Sequence, residues 1–125
     1  MAGTIVANTI NTDTGLFTTN NAYLGIAKAW VNFNGTSAAI RSSFNVSSVT
    51  RASAGVYTIT FTTAMANANY SAVTGGTYLD DNTNRRNFLV TTQAFTTSSL
   101  AIYAADATSG SGLDMVIISV AIFSS

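Results

Sequence analysis

Apolar side chains recur at every second position through the middle of this chain, and that period restricts its fold more than any other feature. Ala27, Ala29, Val31 and Phe33 alternate with Lys28, Trp30, Asn32 and Asn34. Ile40, Ser42, Phe44 and Val46 then alternate with Arg41, Ser43 and Asn45. Tyr57, Ile59 and Phe61 alternate with Val56, Thr58 and Thr60. Successive side chains of a strand project to opposite faces, so a period of two gives each segment one face for a core. A helix needs recurrence every three or four residues, and no sustained stretch has it.

The turns agree with that reading. The chain has no proline, and Asn34-Gly35-Thr36 and Ser53-Ala54-Gly55 separate the runs. Asn and Gly tolerate the positive φ that tight hairpin turns require. Further strands are predicted over Tyr70 to Thr74, Asn87 to Phe95, Leu100 to Ala104 and Met115 to Phe123. About seven short strands predict an all-β domain over residues 27–125, an antiparallel β-sandwich of jelly-roll or Ig-like type. Its predicted core is Val31, Phe33, Ile40, Phe44, Tyr57, Ile59 and Phe61. Thr63 to Asn69 could form one helical turn, too short to be a stable helix alone.

Two segments point outside the domain. Residues 1–26 have scattered apolar positions (Ile5, Val6, Ile10, Leu16, Phe17) without a sustained period. They are expected to be an extended attachment arm. The run Met115 to Phe123 is apolar on both faces, with Met115, Ile117, Ala121 and Phe123 on one and Val116, Ile118, Val120 and Ile122 on the other. A half-exposed strand should alternate apolar with polar. Either this strand is central within one domain, or its second face is covered by the arm or another protomer.

Composition narrows the chemistry. The 125 residues include twenty Thr, fourteen Ser and twelve Asn, but charged residues are only 8%. There is no His, no Cys and no Glu. That removes Ser-His-Asp and Cys-His catalytic sets, disulfides and thiolate or imidazole zinc sites. Five basic residues offset five acidic ones, and with no basic cluster a nucleic-acid partner is not expected. The N-terminal residues lack the charged and apolar regions of a signal peptide. The apolar stretch Met115 to Phe123 is half a membrane span at most, so no membrane insertion is expected.

The remaining motifs have bland explanations. Asp80-Asp81-Asn82-Thr83-Asn84 opens like a calcium loop, but Arg85 stands where the turn glycine belongs and no bidentate Glu exists. With Arg85 and Arg86 it reads as a charge-neutral loop tip. Asp106 and Asp114 flank a loop containing Gly110 and Gly112, with nothing to place them across a cleft as a glycosidase needs. Asn-x-Ser/Thr sequons at Asn34, Asn45 and Asn69 are the number that composition gives by chance. Trp30, beside Asn32 and Asn34, could stack on a sugar ring, although a strand Trp more often packs at a core margin or interface. No catalytic residue, metal ligand or cofactor site is therefore expected, and no enzyme activity.

One resemblance extends this reading. The blocks Ala27-Lys28-Ala29-Trp30-Val31-Asn32-Phe33-Asn34-Gly35, Ile40-Arg41-Ser42-Ser43-Phe44-Asn45-Val46-Ser47-Ser48-Val49 and Gly55-Val56-Tyr57-Thr58-Ile59-Thr60-Phe61-Thr62-Thr63-Ala64-Met65, with Asn69-Tyr70, resemble a segment of bacteriophage tail-fibre and other virion proteins, particularly from phages of marine and cyanobacterial hosts. The resemblance covers a little over a third of the chain. It implies a non-enzymatic β-domain on the virion exterior, usually trimeric, and supplies no catalytic residues. Such fibres carry a long shaft upstream, whereas 26 residues precede the motif here. The expectation is a capsid decoration (cement) protein, a short head fibre or a small tail component, contacting the major capsid protein or tail proteins. The alternative is a receptor-binding tip that recognises host-surface polysaccharide.

The absence of a complete cation loop yields a first prediction. Removing divalent cations with a chelator should leave the melting temperature unchanged, and a fall of several degrees would reveal a metal site within residues 80–84.

Overall fold

The computed structural model describes residues 3, 9–12, 15–18, 23–78 and 88–124; for 9–12 and 15–18 the backbone is described. Among the described residues there are ten strands: β1 (Thr9–Thr12), β2 (Gly15–Thr18), β3 (Ala29–Asn34), β4 (Ala39–Phe44), β5 (Val46–Ser53), β6 (Val56–Phe61), β7 (Ser71–Thr77), β8 (Phe88–Phe95), β9 (Ser99–Asp106) and β10 (Ile117–Phe123). Eight of them form two four-stranded sheets, ordered β4-β3-β10-β7 and β5-β6-β9-β8. Every ladder is antiparallel. The fold is an antiparallel β-sandwich.

The alternation seen in the sequence is the alternation of burial. In β3, Ala29, Val31 and Phe33 are buried; in β6, Tyr57, Ile59 and Phe61 are. They meet Leu100 and Ile102 of β9, Ile118, Val120 and Ile122 of β10, and Met115 in one cluster between the sheets. Phe33 and Tyr57 pack edge to face across the sandwich, with ring centroids 5.2 Å apart. Each such side chain removed from water contributes about 1.5–3 kcal/mol.

The chain changes sheets at Asn45. This residue has φ 55°, in the left-handed region that Asn enters more readily than other side-chain-bearing residues. Its amide donates to the carbonyls of Lys28 and Thr63, and its Oδ1 accepts from the Thr63 N–H at 2.7 Å. One run expected as a single strand from Ile40 to Val46 is thus β4 of one sheet and the start of β5 of the other. Strand β5, Val-Ser-Ser-Val-Thr-Arg-Ala-Ser, was not expected because its Ser and Thr blur any apolar period.

Two of the predicted core residues behave differently. Ile40 is half-buried, and Phe44 is 54% exposed. The register explains Phe44. Phe33 pairs with Ile40, but Asn32 pairs with Ser42, so Arg41 is an extra residue in β4. A one-residue bulge inverts every side chain beyond it. Ser43 therefore lies opposite inward-facing Val31, and Phe44 lies opposite outward-facing Trp30. The segment expected as a helical turn at Thr63 to Asn69 consists instead of bends, held by Met65, which is buried and whose N–H donates to the Thr97 carbonyl. The strand expected from Met115 begins at Ile117 and lies centrally between β3 and β7.

Within the expected arm, β1 and β2 pair with each other as a hairpin, Ile10 opposite Phe17. No ladder joins this hairpin to either sheet among the described residues.

These positions predict opposite outcomes for two phenylalanines. In urea unfolding of the unassembled chain, Phe61→Ala should cost about 3–5 kcal/mol, whereas Phe44→Ala should cost less than about 1 kcal/mol.

Candidate functional site

The outer face of the β4-β3-β10-β7 sheet has an unusual composition. Trp30 pairs with Phe44 on one side and Ala121 on the other, and Ala121 pairs in turn with Val73. Phe44, Trp30, Ala121 and Val73 thus form one apolar row across all four strands. Trp30 is 38% exposed and Val73 63% exposed. Single exposed apolar residues are ordinary; a contiguous row of them makes this face the candidate site.

The next row is Ser42, Asn32, Ser119 and Gly75. Small side chains here leave a depression of about 420 Å³ between Trp30 and Val73. The Asn32 amide donates to Ser119 Oγ at 2.9 Å, which cross-links β3 to β10 and occupies the main polar group of the depression. Neither row contains a charge. These two rows can therefore be covered without stranding an ion, whose unpaired burial is costly, while the exposed bulge residue Arg41 lies beside them at the β4 edge.

At Phe44 the row meets a larger depression of about 790 Å³, lined by Tyr23, Ile26, Lys28, Asn45 and Met65 among others. Tyr23 and Ile26 are well exposed. The Lys28 ammonium lies 3.3 Å from the Tyr23 ring centroid and donates to the Tyr23 carbonyl. Its charge is thereby held within its own segment.

A second polar constellation lies where the loop before β10 meets the β5–β6 turn. Asp114 accepts from Arg51 through Nε at 2.9 Å and Nη2 at 2.7 Å, from the Gly55 N–H at 3.0 Å and from the Tyr57 hydroxyl at 2.7 Å. The Arg51 hydrogen bonds, aided by Tyr57 and Gly55 against partial burial, lower the Asp114 pKa from 3.8 to about 2. Burial, and then the neighbouring carboxylate, push the Tyr57 hydroxyl well above its ordinary value. Gly55 has φ 74°, and a Cβ there would collide with the Ala104 carbonyl, whose residue donates its N–H to the Gly55 carbonyl. This is a structural clasp that ties β5, β6, β9 and the 107–116 loop together.

The other singled-out residues fall as follows. Asp106 accepts from the Thr108 and Ser109 N–H groups and so shapes its own turn. Asp106 and Asp114 are thus both engaged in loop architecture. Asp80 to Asn84, with Arg85 and Arg86, lies outside the described residues, as do residues 4–8 of the arm. No group of three or more potential metal ligands occurs among the described residues. Among them no helix is long and apolar enough to cross a membrane. The sequence marks Trp30 as a surface candidate; it assigns Phe44 to the core and leaves Val73 without a role. Val73 had one visible signal, an apolar residue on the strand face opposite Tyr70, Ala72 and Thr74. Phe44 had none, because the bulge at Arg41 leaves no mark in the hydrophobic pattern.

No protein-family model, curated protein or solved structure matches the chain. The surface itself is the available guide to function.

The clasp makes stability depend on pH in a stated direction. Because the folded pKa of Asp114 is depressed, its contribution is present above its unfolded value near 3.8 and is lost as pH falls through about 2. Asp114→Asn should lower the melting temperature at neutral pH, and the gap from the parent should narrow between about pH 4 and pH 2. A gap that stays constant across that window would remove Asp114 as its source.

Proposed function

We propose that this chain is a non-enzymatic structural protein of a bacteriophage virion. In this reading it is a β-sandwich that assembles as a homo-oligomer, a trimer by its resemblance to fibre proteins, on the outside of the particle. It serves as a capsid decoration protein, a short head fibre or a small tail component, in contact with the major capsid protein or tail proteins. The observation that carries this reading is the uncharged apolar row Phe44, Trp30, Ala121 and Val73 across one outer face. A surface of that kind favours covering by protein. The likeness of residues 27 to about 72 to virion β-domains supports the same conclusion. A catalytic role would need groups with perturbed proton affinity converging on a cleft. Among the described residues the strongest shifts, at Asp114 and Tyr57, arise within the structural clasp.

A second reading has one specific observation in its favour. Trp30 borders a depression that also contains Asn32 and Ser119, the mixture of ring face and polar groups that a sugar can use. In that reading the domain is a receptor-binding tip for host-surface polysaccharide. The bond between Asn32 and Ser119 already engages the amide, which favours the assembly reading.

Sedimentation at micromolar concentration should show an assembled species, and a stable soluble monomer would overturn the oligomeric reading. Immunogold labelling of virions then separates the locations. Even labelling over the capsid supports decoration, labelling confined to the tail supports a tail component, and unlabelled particles would exclude a virion role.

A further inference from the structure

We propose that the β1–β2 hairpin of one copy covers the outer face of the β4-β3-β10-β7 sheet of a second copy. The inference rests on the oligomeric reading above and specifies how the copies are joined.

Two unfinished surfaces occur in the same chain. The first is the hairpin. Its strands have four residues each and pair only with each other among the described ladders. A two-stranded ribbon alone in water is marginally stable at best and needs a third strand or a face to pack against. Its register pairs Ile10 with Phe17, which puts the two at positions on one side of the ribbon. The second unfinished surface is the row Phe44, Trp30 and Val73, which stays substantially exposed. What one copy leaves uncovered, a second copy can cover with an element that one copy leaves unsupported.

Size and charge fit. Four strands spaced about 4.8 Å apart, of six or seven residues at about 3.3 Å each, give a face about 19 Å wide and about 20–23 Å long. A ribbon of four-residue strands is about 13 Å long and, with side chains, about 10 Å wide, so it lies within that face. The depression between Trp30 and Val73, floored by Gly75 and Ser119, offers room for a bulky apolar side chain such as Phe17. The only charge in residues 9–18 is Asp13, in the link between the strands.

The chain has no cysteine and one tryptophan, which makes the full-length protein well suited to a direct test. Two variants, Phe17→Cys and a size-tagged Val73→Cys, are mixed at an assembling concentration and oxidised. The expected product is a covalent heterodimer on a non-reducing gel, exceeding the homodimers formed by either variant alone. Failure of that band while sedimentation still shows an oligomer would overturn the hairpin exchange and leave the oligomeric reading standing. A monomer in sedimentation would overturn both. The double variant Phe17→Cys/Val73→Cys supplies a further check: closure within one chain, seen as a faster-migrating monomer without oligomer bands, would show that the hairpin covers its own sheet. Trp30 emission gives an independent readout, because the single tryptophan lies in the covered row. Phe17→Asp should shift the emission to the red and increase quenching by acrylamide at concentrations where the parent is assembled. Unchanged emission and quenching would mean that the hairpin does not cover Trp30.

Discussion

The sandwich depends on one residue being able to turn the chain out of its own sheet. Asn45 has a positive φ, and its side chain satisfies the backbone groups exposed by the change of direction: the Lys28 and Thr63 carbonyls and the Thr63 N–H. Its own carbonyl accepts from the Thr62 N–H. Because the turn is made at a single position, β4 and β5 begin the two sheets side by side and the facing sides enclose the core immediately. At the opposite sides of the sheets, β7 and β8 are drawn together by the Thr74 hydroxyl donating to the Val90 carbonyl. An alanine at position 45 would retain the strain of positive φ and lose all three side-chain hydrogen bonds.

How much of this was legible follows from the range of each determinant. β3 and β6 were fully legible because burial on one face is written into every second residue, and the predicted partition of Tyr57, Ile59 and Phe61 from Val56, Thr58 and Thr60 is the observed one. β10 was legible as a strand apolar on both faces, and the core between the sheets accounts for one of them, Ile118, Val120 and Ile122. Phe44 was misassigned because a bulge is set by cross-strand pairing, which residues 39–44 do not encode by themselves. Asp114 lies 63 positions from Arg51, 59 from Gly55 and 57 from Tyr57 in sequence, so no local motif could bring them together. The candidate surface was half legible. Trp30 stood out as an aromatic among amides, but the row it belongs to is perpendicular to the chain, and a property that exists only across strands becomes visible only once the register is known.

The polar, weakly charged composition acquires a physical reason from the sheet geometry. Side chains such as Thr and Ser suit a pleated surface by shape, satisfy their hydroxyls locally or with water, and cost less to cover than lysine or glutamate would. Asn32 and Ser119 illustrate this, since they satisfy each other across the strand boundary while leaving the surface neutral. Most charges among the described residues are likewise held locally: Arg51 bonds to Asp114, Lys28 lies against the Tyr23 ring, and Asp106 caps its own turn. Such a surface carries little electrostatic information with which to steer a partner or reject a wrong one. Recognition then rests on shape, and the row of Phe44, Trp30 and Val73 beside a depression is the shaped part of this face.

Magnitudes decide what kind of assembly such a face can support. Fully burying a large apolar side chain is worth about 1.5–3 kcal/mol, and Phe44, Trp30 and Val73 are already partly covered, so completing the row yields only a few kcal/mol per copy. Bringing two chains together costs an estimated 4–15 kcal/mol in lost translational and rotational freedom alone. A pair joined by one hairpin on one face would therefore be weak. The balance changes when each chain both gives a hairpin and receives one. In a closed ring every copy forms two contacts, and the last contact closes without loss of another free body. In the proposed exchange the ribbon, which no ladder joins to either sheet among the described residues, would gain a face to pack against in the same step. An exchange that is marginal for two copies is thus expected to become favourable only on closure, which gives a physical reason for a small cyclic oligomer to dominate over open pairs.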